Sequence, residues 1–301
     1  MITDEQLDKW GKHIIHKLEA TGKEDDRNFL NMLQGVATRL NENKDAVICV
    51  GGERGMGKTS LAIISALILR QYGVSFNFSN IFYGQDDIEK SLEKVVTNEH
   101  SCFIFDEMID FAYSREAMTT VNRTIVKILT KARKLNHVYF FCIPRFKSLD
   151  SNVRNFIVHY WIEVYWKNDA KAHDEKFAYA ALFSKDKNPA TSDPWGIEDI
   201  AAKKYKPVRG FQDTWKVMKK FRSYICDLTF PALPIVIEKE YEELSKLSLA
   251  SGVEGALDVF KNKKSAEELK NLRINKNLQK FKDNETEETT ENEKIYKEET
   301  A

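Results

Sequence analysis

Apolar positions along the chain recur at two different spacings, and the spacing changes where a glycine-rich segment interrupts it. Leu7, Trp10, Ile14 and Leu18, then Phe29, Leu30, Leu33, Val36 and Leu40, stand mostly three or four residues apart. Residues 1–45 therefore read as two amphipathic helices, with a charged turn over 22–27 between them. The run 46–50 is short, apolar and rich in β-formers, and it stops at a glycine pair, after which 59–70 resumes a helical pattern. Apolar runs at 74–78, 101–105, 137–143 and 160–166 read as further strands. A polar helix over 86–97 and a long helix over 117–135 fall between them. Strands alternating with helices over 46–166 predict an α/β fold, a three-layer domain with a mostly parallel, doubly wound sheet.

Beyond residue 167 the alternation breaks down. Residues 177–183 read as the return arm of a hairpin whose turn holds 168–176, followed by a loop with Asn188-Pro189 and Asp193-Pro194. A helix is expected over 214–225, a proline-bounded break over 230–234 and a helix over 237–249. Residues 261–282 are basic and permit a helix, and from 284 onward the chain is rich in Glu and Thr and poor in apolar residues, as expected of a disordered tail. The predicted organisation is a helical extension (1–45), a main domain (46–250, with its core at 46–166 and a hairpin and helical appendage at 167–250) and a charged tail (251–301).

The segment Gly52-Glu53-Arg54-Gly55-Met56-Gly57-Lys58-Thr59 fits GxxxxGK[ST] without a mismatch and lies between a predicted strand and a predicted helix. Gly52, Gly55 and Gly57 let backbone N–H groups curl around phosphates, and the helix that begins near Thr59 and Ser60 points its positive end at them. Lys58 is expected to neutralise the β- and γ-phosphates of ATP, and the Thr59 hydroxyl to ligate Mg²⁺. Downstream, Cys102-Phe103-Ile104-Phe105 is an apolar strand that ends in Asp106-Glu107. Asp106 is the candidate for the Mg²⁺ shell, and Glu107 for polarising the attacking water. The strand over 137–143 is expected beside the phosphate-loop strand, where a polar sensor for the γ-phosphate often stands; here the sequence reads Cys142-Ile143-Pro144-Arg145. Arg145 or Arg154 could supply positive charge, in cis or as a finger reaching a neighbouring subunit; Arg154 is the candidate carried forward, since a solvated surface arginine is the better reading of Arg145 and an equal alternative for Arg154.

Lys and Arg number 46, as do Asp and Glu, so no global basic field advertises nucleic acid. A DNA partner would have to meet a local patch, for which Arg123, Lys127, Lys131 and Lys134 on one helix face, or the stretch 261–282, are candidates. Cys49, Cys102, Cys142 and Cys226 form no CxxC pair and read as reduced core residues of a cytoplasmic protein. The six histidines do not fall at metal-ligand spacing, and Trp161 and Trp166 read as core. Residues 1–9 are polar and acidic, without the apolar segment of a signal peptide, and no apolar run reaches the length of a membrane span.

Gly52 to Thr59, Phe105-Asp106-Glu107, the long helix, Cys142-Ile143-Pro144 and Leu149-Asp150-Ser151-Asn152-Val153-Arg154 occur in an order that resembles the zonular-occludens-toxin-like ATPase domains, within the FtsK–HerA class of P-loop motors of phages and archaeal mobile elements. Phe230-Pro231-Ala232-Leu233-Pro234 followed by Glu240-Tyr241 is similar to the end of such domains. The resemblance covers about 45–245. It implies a RecA-like, additional-strand core assembled as a hexameric ring that moves DNA, as in genome packaging or translocation for a phage, virus or plasmid. Two other readings stay open: a nucleotide-gated switch or loader that binds a protein partner, and a terminase-like packaging ATPase without a nuclease.

Overall fold

Strand β1 (Ala46–Gly51) is apolar at every position but its last and is buried along its whole length, as a central strand covered on both faces must be. It pairs in parallel with β4 (Val138–Ile143) on one side and β5 (Tyr160–Tyr165) on the other. Beyond β4 lie β3 (Cys102–Asp106) and then β2 (Ile81–Tyr83), both parallel to it. Beyond β5 lie β6 (Phe177–Ser184) and β7 (Tyr224–Pro231), each antiparallel to its predecessor. The seven-stranded order is β2-β3-β4-β1-β5-β6-β7. An added strand, β4, thus separates the glycine-loop strand β1 from the carboxylate-bearing strand β3. This is a mostly parallel α/β sheet with an additional strand between β1 and β3, as the sequence predicts.

The computed structural model describes residues 2–83, 88–106, 129, 132–149, 151–165, 177–185, 193–196 and 218–247. The chain divides into two compact units, Met1–Lys246 and Leu247–Ala301, and of the second only Leu247 is described. Outside the described residues fall Glu107, most of the basic helix expected over 117–135, the hairpin turn 168–176, Trp166, Asn188-Pro189, the basic stretch 261–282 and the tail.

Alternation along the strands separates two cores. Ile48, Val50, Ile104, Phe140, Cys142, Ile162 and Val164 face the helices α1 (Asp4–Thr21), α2 (Glu24–Asn41) and α3 (Lys58–Arg70). Val47, Cys49, Phe103, Phe105, Tyr139, Phe141 and Trp161 face the opposite layer, which includes Val95 of α4 (Ile88–Thr97), Phe146 and Trp195. Trp161 is core, stacked between Phe146 and Phe183 at centroid distances of 4.4 and 4.2 Å. Residues Leu61 to Leu69 of α3 are buried without exception, because this helix is covered by the sheet on one side and by α1 and α2 on the other. Burial on that scale holds the helix firmly, since truncating one such leucine to alanine typically costs about 2–5 kcal/mol.

Several local expectations are corrected by context. The cluster over 22–27 is hardly a turn: Gly22, in the left-handed region, ends α1, and Glu24, Asp25 and Asp26 form the acidic first turn of α2, where carboxylates suit the helix dipole. Asp26 is fully buried and accepts from the Thr21 and Thr229 hydroxyls, which ties α2 to β7. The segment 74–78 contributes only the bridge Ser75 to Ser101; the Asn77 side chain accepts from the Ser79 N–H, starts a 3-10 turn over Phe78–Asn80 and defers regular pairing to β2. Tyr224 and Ile225, expected at the end of a helix, open strand β7, which includes Phe230 and Pro231 before a short break. The last helix, α5, spans 235–247.

Candidate phosphate and metal site

Gly52, Gly55 and Gly57 stand at φ values of 145°, 78° and 84° in the connection from β1 to α3. Gly57 is the N-cap of α3; its left-handed conformation suits a residue without Cβ, and it offers no side chain to cap the helix. The first N–H groups of α3, at Lys58, Thr59 and Ser60, therefore face the loop without a side-chain cap, with the positive end of the helix dipole behind them. The Lys58 ammonium donates to the Glu53 carbonyl at 2.9 Å and so lies across the same loop. Backbone donors, a dipole end and a cation converge there, a combination suited to a polyanion such as a triphosphate.

Asp106 ends β3 and is buried. Its Oδ1 accepts from the Thr59 hydroxyl at 2.7 Å, across the inserted strand β4. A hydroxyl and a carboxylate joined in this way form a hard oxygen donor pair beside a phosphate loop, which fits Mg²⁺. The Oδ2 of Asp106 accepts from the Tyr241 phenol of α5, also at 2.7 Å. Tyr241 was not singled out for any role in the sequence, since nothing in a local pattern marks a tyrosine 135 residues away as a partner of Asp106.

Cys142 stands at the end of β4 among these groups. Burial pushes its thiol well above the usual range and Asp106 adds to this, while Lys58 and the Thr59 hydroxyl oppose it. A thiol thus occupies the region where the sequence lacks the usual polar sensor. Arg154 lies elsewhere, on a π-helical turn (Val153–Ile157) that leads into the start of β5, the end of the sheet opposite the phosphate loop. Its neighbours Asn152 and Phe156 line a cavity with Asp45, which precedes β1. The Arg154 guanidinium donates to the Lys147 carbonyl at 3.3 Å. Arg145 follows β4 after Pro144 and is exposed.

Below the loop, Glu163 of β5 is in register with Gly51 and accepts from the Trp161 indole at 2.9 Å. A Cβ on Gly51 would meet the Glu163 Oε2 at 2.0 Å, so the carboxyl can fold over β1 only because residue 51 is glycine. Desolvation raises the pKa of Glu163 from 4.5 to about 7, against the opposing effects of the Trp161 hydrogen bond and the Lys58 charge. With the folded pKa above the unfolded one, the unfolded chain binds fewer protons between these values, so stability falls as pH rises from 4.5 to about 7. Glu163→Gln is expected to remove that component of the slope, read as urea midpoints of the two proteins across this pH range.

No family model matches the sequence, and no curated protein matches it. Among solved structures, the chain is similar to PCH-2 of C. elegans, at 16% identity over 42% of this chain and 40% of that one, with a TM-score of 0.31. It is similar to a chain of the HORMA:CdnC:Trip13 complex of E. coli MS115-1, at 20% identity over 50% and 58% of the two chains and a TM-score of 0.29. It is also similar to the genome packaging NTPase B204 of Sulfolobus turreted icosahedral virus 2, solved in complex with sulfate, at 12% identity over 47% and 92% and a TM-score of 0.32. The chain thus spans less than two thirds of the first two. Among the described residues, no helix is long and apolar enough to cross a membrane.

Proposed function

We propose that this chain binds ATP together with Mg²⁺ and hydrolyses it. The observation that carries the reading is the 2.7 Å contact between Thr59 and Asp106, which joins the start of the phosphate loop's helix to the end of a strand two places away in the sheet. In this reading Gly52, Gly55, Gly57 and the N–H groups through Ser60 cradle the phosphates. Lys58 leaves the Glu53 carbonyl to pair with the β- and γ-phosphates. Thr59 and Asp106 would hold the metal, which would supply neutralisation of phosphate charge. Glu107, next in sequence to Asp106, orients and deprotonates the attacking water.

The partner we favour is DNA, moved by a ring of such chains, as the resemblance to the FtsK–HerA class implies. The basic positions Arg123, Lys127, Lys131 and Lys134 and the stretch 261–282 are the candidate contacts. Arg154, remote from its own phosphate loop, suits a finger offered to a neighbouring subunit better than a residue acting in cis. The second reading, a nucleotide-gated switch for a protein partner, draws support from the Tyr241 contact, which links the last described helix to Asp106. ATP turnover is expected to rise on adding duplex or single-stranded DNA, in a species whose mass is several times that of one chain. Slow turnover indifferent to both DNAs would favour the switch.

A further inference from the structure

Each carboxylate oxygen of Asp106 is held by a different hydroxyl, Oδ1 by Thr59 and Oδ2 by Tyr241, both at 2.7 Å. The two hydroxyls come from distant parts of the chain, one from the first turn of α3 and the other from α5. Tyr241 is firmly seated. Its ring packs at 6.1 Å on that of Tyr83, the residue in register with Asp106 on β2, and Ile237, one helical turn earlier, is fully buried. Leu244 continues the same inner face against the core, while Ile235 and Val236 point outward. The approach of the segment is fixed upstream as well, since the Phe230 ring of β7 lies 4.0 Å from where a Cβ on Gly57 would stand.

A carboxylate has about four acceptor positions, so Asp106 can keep both hydroxyls and still accept from water bound to a metal. What the two hydroxyls remove is its freedom to rotate. Partners that orient a metal-binding group in this way are typically worth about 10–100-fold in metal affinity.

We propose that Tyr241 is a positioning residue for the metal end of the site: it fixes Asp106 with Oδ1 towards Thr59 and thereby couples helix α5 to the binding of magnesium nucleotide. The proposal rests on the ATP reading above and adds to it a residue and an element that the glycine loop and the Asp106-Glu107 pair do not contain. By linkage the coupling is reciprocal: α5 strengthens metal binding, and metal binding steadies α5.

The test uses the full chain and ATP carrying a fluorescent label on its ribose, titrated with MgCl₂. Tyr241→Phe keeps the ring and removes the hydroxyl. It is expected to raise the half-saturating Mg²⁺ concentration for nucleotide binding by about tenfold or more while leaving affinity in EDTA unchanged. In the unaltered protein, amide hydrogen exchange over 235–246 is expected to slow with labelled ATP and Mg²⁺ relative to labelled ATP and EDTA; this second measurement needs no variant. An unchanged Mg²⁺ midpoint in a folded Tyr241→Phe, or exchange in α5 indifferent to Mg²⁺, overturns the proposal and leaves the ATP reading standing. If the parent chain fails to bind labelled ATP, or Lys58→Ala binds it equally well, the ATP reading itself falls and takes this proposal with it.

Discussion

Lys58→Ala is expected to reduce ATP turnover by at least about 10²–10³-fold, the scale seen when one preorganised electrostatic contact to a developing charge is removed, and to weaken nucleotide binding as well. The loss should exceed that of any surface lysine, for a structural reason. Lys58 is the first residue of α3, its backbone lies at the positive end of the helix, and its ammonium lies over the loop, on the Glu53 carbonyl. In the ATP reading that hydrogen bond is exchanged for phosphate contacts, so the ammonium's advantage is realised only with nucleotide present. Without nucleotide the variant loses one exposed hydrogen bond and should melt within a few degrees of the parent. A calorimetric titration with ATP and a thermal melt of each protein separate the two effects; full turnover in a well-folded Lys58→Ala would remove the phosphate loop from the mechanism.

Glu107→Gln is expected to behave differently, keeping ATP affinity and losing about 10²–10⁴-fold in the hydrolysis step, the usual contribution of a positioned general base. Glutamine retains the size of the side chain and an acceptor oxygen, and loses the basicity. Because Asp106 and Glu107 are adjacent, the substitution also tells their roles apart: Asp106→Asn should raise the Mg²⁺ requirement, whereas Glu107→Gln should leave it unchanged. Single-turnover hydrolysis at saturating ATP, with Mg²⁺ varied, gives both quantities. Hydrolysis at the parent rate in Glu107→Gln would falsify the assignment of the water activator.

Much of the arrangement around β1 was legible because it is written in contiguous runs. Ala46 to Val50, Cys102 to Phe105 and Val138 to Ile143 are uninterrupted apolar segments, as buried parallel strands must be, and the glycine loop is a local motif. What escaped was decided by distant partners. Strand β7 carries Asp227 in its middle and ends in Pro231, and it is a strand only because β6 pairs with it and α2 packs against it. Asp26 looked like part of a charged turn because its burial depends on the hydroxyl of Thr229, 203 residues later. The place of Tyr241 at Asp106 was hidden for the same reason. Cys142 was visible at its position but read as a missing sensor; only the structure brings its thiol among Lys58, Thr59 and Asp106.

The central place of β1 has a consequence for how the protein is made. Both neighbours of β1 come late in the chain, β4 beginning at Val138 and β5 at Tyr160. A nascent chain that has emerged only through β3 therefore presents the phosphate-loop strand with both edges open and both faces apolar, the kind of segment that pairs with other chains unless something shields it. ATP cannot serve as that shield, because the loop gains its framework only with β4 and β5, and Asp106 gains its second hydroxyl only with Tyr241. In the ATP reading, nucleotide binding is thus a late event in the life of each molecule, and early cover for β1 falls to α1, α2 and α3, which are already synthesised by then.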